Sequence, residues 1–216
     1  MPIITSIKLQ RKGKRFNIYL DGKFAFAVSA VALAKADLRI DQEISEKDIE
    51  RLRNKDLKEK LHNKSLNFLS YRPRSEKEIR DYLNKKIASQ KAQKFAESTE
   101  KVVEEIITKL KDQDLIDDRV FTDWWIEQRS RFRPKGRRVL WLELLRKGIK
   151  KEIIETFLVS EEKEFDLARK AAKKKVKSYK DLEPMEFRQK MVAFLSRRGF
   201  NWEVIKKVLE EIKKKS

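Results

Sequence analysis

The fold is legible from one stretch, Trp125-Ile-Glu-Gln-Arg-Ser-Arg-Phe-Arg-Pro-Lys-Gly-Arg-Arg-Val-Leu-Trp-Leu-Glu-Leu-Leu-Arg-Lys-Gly-Ile149. Its apolar residues recur at helical spacing on both sides of Arg133-Pro134-Lys135-Gly136. Pro134 has no amide hydrogen and a fixed φ, so a first helix must stop there and a second begin just beyond it. Gly148 sits where a helix closes with a left-handed residue, and Ile149 is the apolar residue that folds back on it. The stretch reads as a helix, a basic turn and a second helix.

The same pattern occurs on either side. Upstream, Phe68-Leu-Ser-Tyr-Arg-Pro-Arg-Ser-Glu-Lys-Glu-Ile-Arg-Asp-Tyr-Leu83 carries an Arg-Pro turn, and Ser75 with Glu78 has capping-box spacing. Ile79, Tyr82, Leu83 and Ile87 then fall on one face. Downstream, Phe187 to Leu195 is followed by Ser-Arg-Arg-Gly199-Phe200, the same helix ending without the Arg-Pro turn. Each copy is followed by a third amphipathic helix. Its stripe is Val102, Val103, Ile106, Ile107 and Leu110 in the first copy, and Ile153, Ile154, Phe157 and Leu158 in the second. In the third copy Asn201 caps a helix with Trp202, Ile205, Val208, Leu209 and Ile212 inward. Residues 88–100 lengthen the link inside the first copy, and a charged lead helix over 162–179 opens the third.

The first fifty residues differ. Ile3, Thr5, Ile7 and Leu9 alternate with their neighbours at strand period, and Lys12-Gly13 marks a turn. Asp21-Gly22 between Phe16, Ile18, Leu20 and Phe24, Phe26, Val28 is a strong hairpin signal. A strict two-residue turn pairs Leu20 with Lys23 and Ile18 with Ala25. A longer one sets Phe24 and Phe26 beside Leu20 and Ile18, and the pattern leaves both registers open. Ser29 caps a short helix over 30–36, and Ser45 with Asp48 opens another. The expected fold is mainly α, with tandem three-helix modules in an extended array behind a small three-stranded N-terminal extension. The expected boundaries are 1–50, 51–113, 114–160 and 161–216.

Composition narrows function. Only 5 Gly and 4 Pro occur in 216 residues, against roughly 12% of the two together in average chains, so turn-rich sandwiches and barrels are excluded. With no Cys and one His, thiol nucleophiles, cysteine zinc sites and HExxH sites are excluded as well. No glycine cluster is present to cradle a phosphate. The most apolar run, residues 24–34, is too short to span a bilayer. The expectation is a soluble, cytoplasmic, non-enzymatic protein without a cofactor. His62 is expected at the surface or partly packed, and Asp117-Asp118 reads as a helix cap rather than a metal site. Trp124, Trp125, Trp141 and Trp202, at helical spacing near Val120, Phe121 and Leu142, are assigned to the core rather than to a stacking platform.

The formal charge is +19, which favours a polyanionic partner. It is concentrated in blocks. Residues 129–151 hold ten basic side chains against Glu143 alone, and residues 166–216 hold 16 basic and 7 acidic ones. Arginine dominates the turn of the second copy, and its planar fork suits phosphate or carboxylate.

These motifs in order, Tyr71 to Leu83, Leu115-Ile-Asp-Asp-Arg-Val-Phe121, Arg131 to Arg138, Leu145-Arg-Lys-Gly-Ile149 and Phe194-Leu-Ser-Arg-Arg-Gly-Phe200, resemble the RecX family of bacterial recombination regulators. Ile4-Thr-Ser-Ile7 and Arg15 to Gly22 resemble the N-terminal extension of some members. The resemblance implies a negative modulator of RecA that lodges in the groove of the RecA filament on single-stranded DNA. It implies suppression of ATP hydrolysis and strand exchange, and binding of DNA, double-stranded DNA included. The protein is expected to be a monomer. On this reading the contacts are Arg72, Arg74, Arg131, Arg133, Lys135, Arg137, Arg138, Lys147, Arg197 and Arg198. The rival reading is a general DNA- or RNA-binding helical repeat protein without a RecA role.

Overall fold

A computed structural model describes residues 1–11, 13, 15–89, 99–158, 160–179 and 181–215. Lys12 of the expected Lys12-Gly13 turn and most of the expected link over 88–100 lie outside the described residues. Among those described there are three strands, β1 (Ile4–Leu9), β2 (Arg15–Leu20) and β3 (Lys23–Ser29), followed by ten helices. The first four helices are α1 (Ala30–Lys35), α2 (Glu46–Leu69), α3 (Glu76–Ala88) and α4 (Thr99–Asp112). Then come α5 (Asp118–Phe132), α6 (Arg137–Arg146), α7 (Lys151–Phe157), α8 (Glu161–Val176), α9 (Pro184–Arg197) and α10 (Trp202–Lys215). The chain divides into two compact units, residues 1–72 with 80–112, and residues 73–79 with 113–216.

In the first unit the strands form an antiparallel sheet in the order β1-β2-β3. Asp21 and Gly22 both take positive φ, 49° and 80°, the geometry whose twist matches a two-residue hairpin. Both registers left open by the sequence are present in part. Leu20 pairs with Lys23 and Tyr19 with Phe24, and then a bulge moves the partner of Ile18 to Phe26. The bulge turns Phe26 and Val28 inward and leaves Phe24 59% exposed. A second irregularity, between Ile4 and Ser6, does the same in β1. The inward residues there are Ile4 and half-buried Ile7, while Ile3 and Leu9 face out. The simple alternation expected for this strand is thereby corrected.

The sheet core is closed by α1 through Ala32, by Ile44 just before α2, and by the start of α2 through Ile49. Ser29 Oγ accepts from Ala32 N at 3.2 Å and Ser45 Oγ from Asp48 N at 3.1 Å, the two caps expected of them. Helix α2 runs unbroken through position 50. Asp56, nearly buried, receives Arg15 from β2 at 2.5 Å and Lys60 at 2.9 Å, which ties the sheet to α2. Farther along, Leu57, Leu61 and Leu83 are buried, as is the whole stripe of α4. Phe68 and Tyr82 stack at 4.3 Å. His62 is buried, at 9% exposure, next to fully buried Leu61 on α2. Of the two positions expected for it, surface or partly packed, the structure departs from the first.

In the second unit two cores follow one another. Phe121, Ile126, Leu144, Ile149 and Ile154 form one, with Trp124, Trp125 and Trp141 packed against it. Ala168, Ala171, Ala172, Met191, Leu195, Phe200, Val204, Ile205 and Val208 form the other. Helices α6 and α9 end as expected. Gly148 and Gly199 take φ of 82° and 83°. Ile149 N–H reaches Leu144 O, and Phe200 N–H reaches Leu195 O. These bonds satisfy carbonyls the helices leave unpaired. Trp202 is a correction. It is 52% exposed because it is the first residue of α10, and the buried residues of that helix begin only at Val204 and Ile205. Val120 and Leu142 are likewise exposed, at 60% and 44%.

Candidate functional site

The basic turns are where consecutive modules join. Ser75 Oγ donates to Lys147 O at 2.7 Å, and Glu76 N–H donates to Asp118 Oδ1 at 2.9 Å. At the next joint Gly136 N–H donates to Arg198 O at 2.9 Å, and Arg137 N–H donates to Glu164 Oε1 at 3.0 Å. The two joints are built alike. The capping residue at the start of one module's second helix holds the carbonyl that ends the next module's second helix. The following amide takes a carboxylate from the next module's first helix. A helix N-terminus, short of acceptors, thus meets a C-terminus short of donors, with their dipoles opposed favourably.

The glycines make this approach possible. A β-carbon on Gly136 would overlap the Gly199 carbonyl, and one on Gly148 would lie 2.6 Å from Lys77 Cβ. The third copy has no Arg-Pro turn. Its second helix opens on Glu183 and Pro184 without a side-chain cap.

The joints sort the expected contact residues. Lys147 Nζ pairs with Glu78 Oε1 at 2.5 Å and lies over the Trp125 ring. Lys135 pairs with Glu143, which also accepts from Arg129 Nε at 2.9 Å and Trp125 Nε1 at 3.1 Å. Burial alone pushes the Glu143 carboxyl up. The Lys135 hydrogen bond and the charges of Arg129 and Lys135 outweigh it and hold the group below its ordinary value of 4.5. Arg198 donates to Pro134 O at 3.0 Å and stacks on Phe194. Burial, with help from the nearby Arg133 charge, pushes its pKa down. Arg72 and Arg74 are half-buried. Exposed at the second joint remain Arg131, Arg133, Arg137 and Arg138, with Arg197 on the last turn of α9. Asp117 Oδ1 accepts from Arg119 N and Val120 N, the cap expected of it, whereas Asp118 serves the neighbouring module.

Beside the second joint lies a groove of about 620 Å³. Trp141, Leu142, Leu158 and Trp202 give it apolar walls, and Arg137 and Arg138 line it too. Sequence reasoning missed this feature because it assigned both tryptophans to the core. Among the described residues no cluster of metal-binding side chains occurs, and no helix is long and apolar enough to cross a membrane.

The architecture defines a class, a small β-sheet domain followed by three-helix modules with basic turns. Comparison with known proteins gives the family. Family models described as the RecX N-terminal domain and the first, second and third RecX three-helix domains match residues 2–45, 62–92, 117–158 and 161–209. The regulatory protein RecX of Bacillus velezensis is 38% identical over 98% of this chain and 78% of its own length. That of Listeria monocytogenes is 36% identical over 96% of this chain and 75% of its own. A crystal structure of regulatory protein RecX superposes with a TM-score of 0.69 at 29% identity, covering 97% of this chain and all of the other. RecX from Lactobacillus salivarius gives 0.59 at 28% identity, over 72% and 96%. The chain belongs to the RecX family of regulatory proteins.

Proposed function

We propose that this chain is a negative regulator of the RecA recombinase. It binds the RecA filament on single-stranded DNA and lowers ATP hydrolysis and strand exchange, acting as a monomer in the cytoplasm without chemistry of its own. The family name supplies RecA as the partner. The observation that carries the reading is the second joint, which leaves Arg131, Arg133, Arg137 and Arg138 exposed together while Lys135 and Arg129 are held by Glu143. Guanidinium forks suit both the phosphates of a bound strand and acidic protein surface, so one patch serves a nucleoprotein groove.

The test is RecA ATPase on single-stranded DNA with substoichiometric amounts of this protein. Inhibition well below one-to-one supports the reading. The double variant Arg137→Glu, Arg138→Glu is expected to lose inhibition with its helical circular dichroism intact. Unchanged inhibition by that variant removes the patch from the mechanism. If the unmodified protein leaves RecA from the same organism unaffected yet binds nucleic acid steeply with salt, the chain is a general nucleic-acid binder instead.

A further inference from the structure

The two joints provide an internal control for the groove. Aligned on their capping residues, Ser75 and Gly136, they match Ile79 with Leu140 and Leu83 with Leu144, all four fully buried. In the same alignment Trp141 and Leu142 correspond to Arg80 and Asp81. Aligned on Gly148 and Gly199, Asn201 and Trp202 correspond to Lys150 and Lys151. These four groove positions are therefore all charged in the other copy. The repeat folds without apolar side chains there. Trp141 also packs against the core, but packing does not account for Leu142 and Trp202. Half of Trp202 and nearly half of Leu142 remain in solvent, at a hydrophobic cost the fold does not require.

Aromatic faces beside two exposed guanidinium groups match one chemical unit, a base attached to a phosphate. We propose that this groove is a nucleotide subsite for single-stranded nucleic acid. One unpaired base lies against Trp202 and Trp141, its phosphates are held by Arg137 and Arg138, and Asn201 offers an amide to the base edge. A duplex does not fit this chemistry, because its bases already cover each other's faces. An acidic peptide fits less well. Glu143, the one acid in residues 129–151, is already engaged by Lys135 and Arg129. Glu164, the one acid lining the groove, is itself buried and accepts from Arg137 N–H, so Arg137 and Arg138 carry the groove's exposed charge, which suits a phosphate backbone. The volume, about 620 Å³, lies within the roughly 300–1,000 Å³ of sites that hold small molecules. The inference deepens the regulator reading by placing the strand on this chain.

The test uses the full chain with two fluorescent 15-mers, oligo-dT and an abasic strand with the same phosphates. Trp202→Ala is expected to weaken oligo-dT binding at least about fivefold, the lower end of one base–aromatic stack, and to leave abasic binding unchanged. Trp202→Phe should retain most of the affinity. Arg137→Ala and Arg138→Ala should weaken both probes and flatten the salt dependence. The proposal is overturned if Trp202→Ala leaves oligo-dT affinity unchanged, or weakens both probes alike. It is overturned in favour of a protein segment if Trp202→Ala abolishes inhibition of RecA ATPase while oligo-dT binding persists. Base-dependent binding by a protein that does not inhibit RecA would end the regulator reading and leave the subsite standing.

Discussion

Glu143 shows how a single acid decides what a basic surface does. Its carboxylate, 17% exposed, joins α6 to the end of α5 through Arg129 and reaches across the turn to Lys135. Arg129 in turn lies 4.3 Å from the Trp125 ring centroid, with Lys147 at 5.1 Å. The cluster locks the turn from which Arg131, Arg133, Arg137 and Arg138 project. The carboxyl is held below 4.5 in the folded protein, so it stabilises the fold above that pH. This contribution is lost as pH falls through the lowered folded-state value. Glu143→Gln is expected to cost about 2 kcal/mol at pH 7, the scale of a hydrogen bond to a charged group. The gap between variant and parent should close under acid conditions below pH 4.5. Urea unfolding at neutral and acid pH measures it, and a gap independent of pH would show that the charge is not what matters.

At the scale of elements, the joints convert helix ends into module contacts. Ser75 is fully buried. Its hydroxyl accepts from Glu78 N at 3.2 Å and donates to Lys147 O at 2.7 Å. Ser75→Ala removes the cap and strands the carbonyl, a loss expected at about 2–3 kcal/mol. All four tryptophans lie in the second unit, so tryptophan fluorescence during urea unfolding reports this unit alone. An unmoved midpoint would mean that the joint does not hold. The helices were legible in the sequence because 3.6-residue spacing, caps and terminal glycines are local signals. The joints were not, because Arg133-Pro134-Lys135-Gly136 has the same local chemistry whether it meets a ligand or a neighbouring helix end. Trp202 was misplaced because a first-turn position and an inward position share one helical stripe. The hairpin register stayed open because a bulge is decided by packing on both faces of the sheet.

Across the whole molecule, the net charge of +19 overstates what a polyanion meets. Of the ten cations in residues 129–151, Arg129, Lys135 and Lys147 face Glu143 or Glu78. Arg131, Arg133, Arg137, Arg138, Arg146, Lys150 and Lys151 are exposed. The two groups should separate in experiment. Each exposed arginine that neutralises a phosphate of a single strand contributes about 0.7 to the slope of log affinity against log salt. Arg131→Ala with Arg133→Ala is expected to lower that slope by about 1.4 for oligo-dT and to leave the unfolding midpoint in place. Arg129→Ala should do the reverse, lowering the midpoint by uncoupling Glu143 while the slope stays near that of the parent. Anisotropy titrations at several salt concentrations, with urea unfolding of the same three proteins, decide the matter. Equal slopes for all three would mean that nucleic acid binds elsewhere on the chain, and that the second joint is only a structural hinge point between modules.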